Sequence, residues 1–570
     1  MIVLILILSF ILNVYGINWG LPSQERTNLV FPNVQENRRL FEILKENRRE
    51  MKGDIIESSQ LFIKQYSMDG SRVLNFPPDR FPRNESELSL LRSYLLTSSQ
   101  DEEHVVITAL SRMNPARLNF NPHLFHYGGC FIYTVGAALK IASFFNWVHL
   151  TPDLSYYFTH PEAMAKIYLA GRLVVVCSVL LSAFLLYLLG QMLYGRETGL
   201  FAALFFVISP GVVASAHIMK PHLFAVCFVL LFLIFTLKIK ESGARSSYIL
   251  AGLSLGLAAG SAVYLAIFFI HLLTCHLLRF SGRGIREYFR SLRDSSFLLA
   301  LCSMLLAFLI TNPYYLLSFK EVLYEKSYDL KLFSFALSSE NLSHFTFFFF
   351  YTVHGIPLTL LVFVGLFYAL ARGREYWFLP LLPVFYFLMA SAVIGKGTPP
   401  NFRFALALIP FSALLAGLAA YRLWSLRKRW IHFVLMGVMA FTFSHALLYS
   451  FNFQQDISSG STFVRSGEWI NLNIPRGSSI GLLHLFTPST TPPLDFRAFK
   501  VSVYTPRNLS SGKGFLPQYF VATKRIDDIL VPHYQLAQSF SPHWPFSTLR
   551  FKDHFALANR EVFIYGRIIP

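Results

Sequence analysis

The sequence predicts an α-helical, multi-pass membrane protein of about eleven transmembrane helices, with interfacial helices in its first outer loop and a small C-terminal soluble α/β domain. Three observations predict it. Hydrophobic residues make up 54% of the 570, and phenylalanine alone numbers 58. Apolar runs long enough to cross a hydrocarbon core of ~30 Å recur from residue 163 to residue 451. The stretch 452–570 then changes character, becoming Thr/Ser/Pro-rich with short β-prone runs such as "SSIGLLHLF", "QYFVAT" and "EVFIYGRII".

The elements follow in order. The opening "MIVLILILSFILNVYGINWGLP" has no basic n-region and no small-residue cleavage site before Trp19, and reads as an uncleaved first span. Residues 17–162 form a large outer loop with helical patterning at Glu36–Met51 and at "SELSLLRSYLL", which opens as a capping box. The run His123–Val148 taken alone resembles a span. Its Gly128–Gly129 pair, Lys140 and many aromatics equally suit a segment lying along the interface. Apolar runs follow at 163–193, 199–215, 221–237, 296–311, 345–371, 377–394, 404–421 and 431–451. Between them, 248–278 is long for one helix and carries basic loops at both ends, so the chain is expected to turn near Gly260–Ser261 and cross twice.

Charge sets the orientation. Loops 194–198, 238–247, 279–295, 372–376 and 422–430 hold 15 Lys/Arg, whereas 216–220, 312–344 and 395–403, of nearly equal total length, hold 6. The first set is cytoplasmic by the positive-inside rule. With His123–Val148 interfacial, the N-terminus is cytoplasmic, and both the 17–162 loop and residues 452–570 are outside.

Composition also excludes function classes. The net charge of +18 needs no nucleic acid, because no basic run is interleaved with base-stacking aromatics. Five cysteines without a CxxC give no structural zinc site. The spans from 163 to 451 carry no Asp or Glu away from their ends, which disfavours an ion-coupled transporter.

The charged residues that remain near the outer face are the candidates. Asp101, Glu102 and Glu103 stand together in "SSQDEEHVV". They suit the first turn of a helix capped by Ser98 or Ser99. They equally suit a general base that takes a proton from an attacking hydroxyl or amine. Arg172, Lys220 and Arg403 are each readable as a snorkelling interfacial cation. Three at one depth instead suggest an anion site for a lipid phosphate.

The motif order resembles the GT-C-fold glycosyltransferases, the superfamily of protein O-mannosyltransferases and lipid A aminoarabinose transferases. The acidic pair of the first outer loop is matched at Asp101–Glu102, and a proline-bearing interfacial segment by "NFNPHLFHYGGCFIY". Further matches are the stretch from Ala170 to His222, "TNPYYLL", "FRFALALIPFSALLAGLAA" and "STFVRSGEWINLNIPRGSSIG". The resemblance implies an inverting hexosyl- or pentosyltransferase that takes a polyprenyl-phosphate sugar as donor on the non-cytoplasmic side of a bacterial plasma membrane. It implies Asp101 as base with Glu102 assisting, and Arg172, Lys220 and Arg403 on the donor phosphate. Asn121, His123, Tyr127 and His222 would line the cavity for an acceptor that is protein, lipid or glycan. No metal is required in this scheme, although some relatives bind one.

The chain also departs from the family. Residues 20–97 intervene before the acidic pair, Pro221–His222 stands where members often have Pro-Asp, and Asn121 stands where some have lysine. Glu25, in "GLPSQERTNLVFP", is therefore the fallback base. Two other functions stay open on sequence alone: a lipid-linked sugar transporter or flippase, and a catalytically silent membrane scaffold. The topology makes one direct prediction. An Asp101→Cys variant is labelled by a membrane-impermeant thiol reagent from the outside, and labelling solely from the cytosol would reverse the assignment.

Overall fold

The computed structural model describes residues 1–32, 38–51, 72–74, 85–100, 102–280, 290–335, 338–371, 374–395, 402–457, 460–483, 487–504, 516–526, 533–543 and 558–568. They form two compact units: one of 1–15, 105–138 and 171–450, and a second of 16–104, 139–170 and 451–570.

The first unit is a bundle of apolar helices. Among the described residues, four helices are long and apolar enough to cross a membrane: Pro161–Tyr194 (which begins in the second unit), Pro221–Ser242, Arg403–Ser425 and Arg429–Gln455. Two bent pairs raise the number to six: Arg196–Val207 with Pro210–Ala216 at 56°, and Ser339–Tyr351 with Ile356–Ala371 at 106°. Shorter apolar helices include Ile2–Val14, Gly129–Phe144, Val263–Leu278 and Ser295–Thr311. At 1.5 Å per residue, a helix of 13 to 17 residues reaches only ~20–26 Å, which is why these fall short singly.

Two expectations about continuity meet different outcomes. The helix Arg245–Ser261 ends where a turn was expected, passing through a 3-10 turn, Val263–Phe268, into Phe269–Leu278. The apolar run 345–371, by contrast, is not one helix. A π-helical turn at Phe348–Val353 leads to Gly355 at φ +76°, after which the helix restarts at Ile356–Pro357. Glycine tolerates that backbone angle, and the proline ring suits the first turn of a new helix.

Small residues decide the tightest packing. Gly252 and Gly256 lie one turn apart and face the Ser295–Thr311 helix so closely that an added Cβ would meet the Ala300 carbonyl oxygen at 2.2 Å and the Met304 carbonyl oxygen at 2.3 Å. This is the small-residue contact by which helices associate where lipid offers no hydrophobic driving force.

At the ends of these two helices a third segment joins them. The Gly128 N–H donates to the Ser261 carbonyl at 3.0 Å, and the Gly129 N–H to Asn312 Oδ1 at 2.7 Å. The Asn312 amide in turn donates to the Gly260 carbonyl at 3.2 Å. Asn312 is buried, and a Cβ on Gly128 would lie 1.9 Å from the Gly260 oxygen. The Gly128–Gly129 pair is thus required by close backbone approach.

The second unit combines loop helices with a mixed sheet. Helices Arg38–Met51 and Glu85–Leu96 fall where the periodicity predicted them, joined by a bond from Arg92 Nη1 to the Leu44 carbonyl at 3.4 Å. Phe41 anchors the group, edge-on to Phe31 and stacked on Phe158. The sheet has six strands in the order 72–74, 500–503, 479–482, 519–522, 562–567, 534–540. Strand 479–482 is parallel to both neighbours, and the outer pairings are antiparallel. Its core is aromatic, with Tyr504, Phe520, Tyr534 and Tyr565 all buried. Three strands arise inside the β-prone runs seen in the sequence. The strand Arg72–Leu74 comes from the 17–162 stretch, far from the others in sequence, and no sequence signal pointed to it.

The Asn312 junction yields a test. Asn312→Leu keeps the side-chain size but leaves the Gly129 N–H and the Gly260 carbonyl unpaired in an apolar setting. The expected loss is about 2–4 kcal/mol, read as a lowered unfolding temperature of the purified protein in detergent.

Candidate functional site

In the helical unit, one group of the candidate residues is gathered around a turn. Lys220 is half-buried and precedes Pro221, the first residue of the helix Pro221–Ser242. Proline has no N–H to lose at that position, and its fixed φ starts the helix. His222 follows, buried, with its ring edge-on to Tyr127 at a centroid distance of 6.1 Å. Its Nδ1 lies 3.1 Å from the hydroxyl oxygen of Tyr264, in the 3-10 turn after Ser261. Tyr264 meets Phe404 edge-on at 4.8 Å, and Arg403 stands within electrostatic reach of its hydroxyl. The structure therefore brings Tyr127, His222 and Arg403 together through Tyr264, with Lys220 two residues away along the chain.

Arg172 approaches the same turn from the helix Pro161–Tyr194. It is fully buried, so it does not snorkel as an interfacial cation does. Its neighbour Gly171 packs so closely on Met219 that a Cβ would meet Sδ at 1.9 Å, and Arg172 lies within electrostatic reach of His217. His217 is itself tied to the Val213 carbonyl at 2.7 Å and to the Tyr15 carbonyl at 2.9 Å.

Asn121 and His123 belong to a different wall. Asn121 Nδ2 donates to Ser318 Oγ at 2.9 Å, and His123 Nδ1 pairs with Glu321 Oε2 at 2.7 Å. The Phe125 N–H donates to Glu325 Oε1 at 2.7 Å, while Lys326 and Tyr315 both donate to the Phe125 carbonyl at 2.9 Å. Arg112 donates to the His123 carbonyl at 3.1 Å. Burial lowers its guanidinium from the ordinary value, with Glu321 and Glu325 opposing. Segment 119–126 is thus a strap laced to residues 314–326, and His123 takes φ +46° within it. Glu321 and Glu325, one helical turn apart, were not singled out in the sequence. Their spacing against His123 and His126 was the available signal.

The acidic candidates lie in the second unit. Asp101 falls outside the described residues. Glu102 is half-buried, and Glu103 is buried in the first turn of Glu103–Arg112, accepting from Ser98 Oγ at 2.6 Å. Glu103 thus stands in the first turn, where negative charge is favoured, but neither serine caps the helix: Ser98 binds the Glu103 carboxylate and the Gln100 N–H instead.

The preceding turn is fixed by two further contacts. The Ser99 N–H donates to the Gly20 carbonyl at 2.7 Å. Arg26 is buried and donates from Nη2 to the carbonyls of Leu95, at 3.1 Å, and Thr97, at 2.8 Å. A cation there meets the open carbonyls at a helix C-terminus, where its charge is favoured. Tyr94, beneath the guanidinium, donates to the Thr491 carbonyl at 2.9 Å. Glu25 is half-buried in the helix Gln24–Val30, and its carboxyl is raised above the usual range by burial first and the negative charge of Glu468 second. Among the described residues, no group of three or more His, Cys, Asp or Glu converges as metal ligands would.

Residues 164–315 match the dolichyl-phosphate-mannose-protein mannosyltransferase family. No curated protein matches the chain. Solved structures with some similarity include ArnT from Cupriavidus metallidurans in the apo state, 12% identical, with TM-score 0.44 over 84% of this chain and 96% of that one. The same protein bound to undecaprenyl phosphate is 13% identical, with TM-score 0.43 over 84% and 95%. The archaeal oligosaccharyltransferase AglB from Archaeoglobus fulgidus, in complex with an inhibitory peptide and a dolichol-phosphate, is 10% identical, with TM-score 0.42 over 74% and 65%.

The Arg26 clamp can be tested by removing its donors. Arg26→Met strips two carbonyls of their donor and is expected to lower stability by about 2–4 kcal/mol, measured as a loss of melting temperature. Arg26→Leu of equal effect is expected, since the lost donors, rather than the lost side-chain volume, are responsible.

Proposed function

The chain is related to the GT-C-like glycosyltransferases through residues 164–315, and from that premise we propose that it is an integral membrane glycosyltransferase. It moves a hexose or pentose from a polyprenyl-phosphate donor to an acceptor on the non-cytoplasmic side. The chemistry is a direct displacement. Asp101 takes the proton of the acceptor hydroxyl or amine while that atom attacks the anomeric carbon, with Glu102 helping to orient it. The bond from that carbon to the phosphate oxygen breaks, configuration inverts, and the negative charge passes to the polyprenyl phosphate. Arg172, Lys220 and Arg403 receive that charge. In this reading residues 1–451 are the membrane domain, crossing eleven times, and residues 452–570 are extracytoplasmic.

One observation carries the reading. Within the helical unit, Lys220, His222, Tyr127 and Arg403 gather at one turn, linked by Tyr264, and Arg172, Lys220 and His222 all fall within the stretch that matches the family. Such a mixture of cations and ring donors suits a phosphate better than a neutral ligand. Segment 119–126 serves as the strap that holds the neighbouring wall, so Asn121 and His123 act by placing Tyr127 rather than by touching the donor.

Asp101→Asn is expected to lower sugar transfer from a radiolabelled polyprenyl-phosphate sugar by about 10²–10⁴-fold while leaving binding of polyprenyl phosphate intact. Transfer that survives in Asp101→Asn and disappears in Glu25→Gln moves the base to Glu25. Translocation of the lipid-linked sugar without transfer, unaffected by either variant, makes the protein a carrier.

A further inference from the structure

We infer that Tyr264 is a positioning residue that holds the His222 ring with its proton on Nε2, so that His222 donates a hydrogen bond to the phosphate of a polyprenyl phosphate. The inference rests on the donor reading above. Tyr264 Oη stands 3.1 Å from His222 Nδ1. An imidazole nitrogen is a better acceptor than a phenol oxygen, so the hydroxyl donates and Nδ1 accepts. A neutral ring carries one N–H, which this bond confines to Nε2. The opposite tautomer would turn a lone pair toward the phosphate oxygens and repel them.

The surroundings hold the ring for this purpose. Tyr127 meets His222 edge-on at 89°, and Tyr264 is itself braced edge-on against Phe404 at 86°. Among the described residues, the titratable and charged groups near His222 include Tyr127 from the strap end, Tyr264 from the 3-10 turn, Lys220 two residues before it in the chain, and Arg403, which stands within electrostatic reach of Tyr264. Lys220 and Arg403 supply charge. A ring donor held in one orientation adds direction to that charge.

The test compares two lipids. Tyr264→Phe keeps the ring contacts and removes only the hydroxyl. Purified full-length protein in nanodiscs is titrated with a polyprenyl phosphate and with the polyprenyl alcohol of equal length. The variant is expected to bind the phosphate about tenfold more weakly and the alcohol unchanged, and to have no further effect in a His222→Ala background. Equal loss for both lipids, no loss for either, or a loss undiminished in the His222→Ala background overturns the inference.

Wild-type protein that binds the phosphate no better than the alcohol overturns the donor reading itself, and this inference with it. A second pair of variants serves if Tyr264→Phe does not fold. His222→Gln places its amide nitrogen near the Nε2 position and His222→Asn near Nδ1. Gln is expected to retain more of the phosphate affinity than Asn, and the reverse order sinks the proposal.

Discussion

The helical unit depends on one buried amide. Asn312 accepts from the backbone of Gly129 and donates to the backbone of Gly260, while the Gly128 N–H closes the triangle on Ser261. Three chain segments meet there at backbone distance, in surroundings where an unpaired N–H or carbonyl is expensive. The two rings that flank His222 are anchored close to this point. Tyr127 is the residue before the first glycine, and Tyr264 follows Ser261 by three positions. His222 is held between those two rings. A shift at the junction therefore displaces both sides of the His222 contact at once, which makes Asn312 a structural residue with functional reach.

The second unit solves a related problem with charge. The helix Glu85–Leu96 ends just before the acidic turn, leaving its last carbonyls open. Arg26 meets the carbonyls of Leu95 and Thr97, and Ser99 is tied to Gly20. The turn preceding Asp101 thus leaves its helix in one direction only. Both partners of this contact, Arg26 and the end of the Glu85–Leu96 helix, lie within the 20–97 stretch that precedes the acidic pair.

The sequence was most legible where a pattern is local. Hydropathy located the apolar helices, helical spacing located Arg38–Met51 and Glu85–Leu96, and the charge on either side of 248–278 pointed to the break at Ser261. It was less legible where partners are distant. The bend at Gly355 was hidden inside an unbroken apolar run, because phenylalanines on either side carry no sign of direction. Asn121 and His123 were singled out without their partners, because Ser318 and Glu321 lie nearly two hundred positions away. Tyr264 and Arg26 escaped notice for the same reason. Each is an ordinary residue type whose meaning comes from what the fold sets beside it. Tyr127, His222 and Arg403 were picked out by residue type and resemblance, and what the sequence did not show is that Tyr264 links them.

The sheet of the second unit carries a consequence for the order of assembly. Its first strand, Arg72–Leu74, pairs with Lys500–Val503, so two partners are separated by more than four hundred residues of chain. At ~5–20 residues per second of synthesis, the early strand emerges roughly 20–90 s before the late one exists. During that interval its backbone donors and acceptors lack the strand they pair with in the finished fold. The newborn protein therefore waits on its own far end to finish an edge begun near its start, and a ribosome stalled anywhere in between leaves that edge open to whatever strand is nearest.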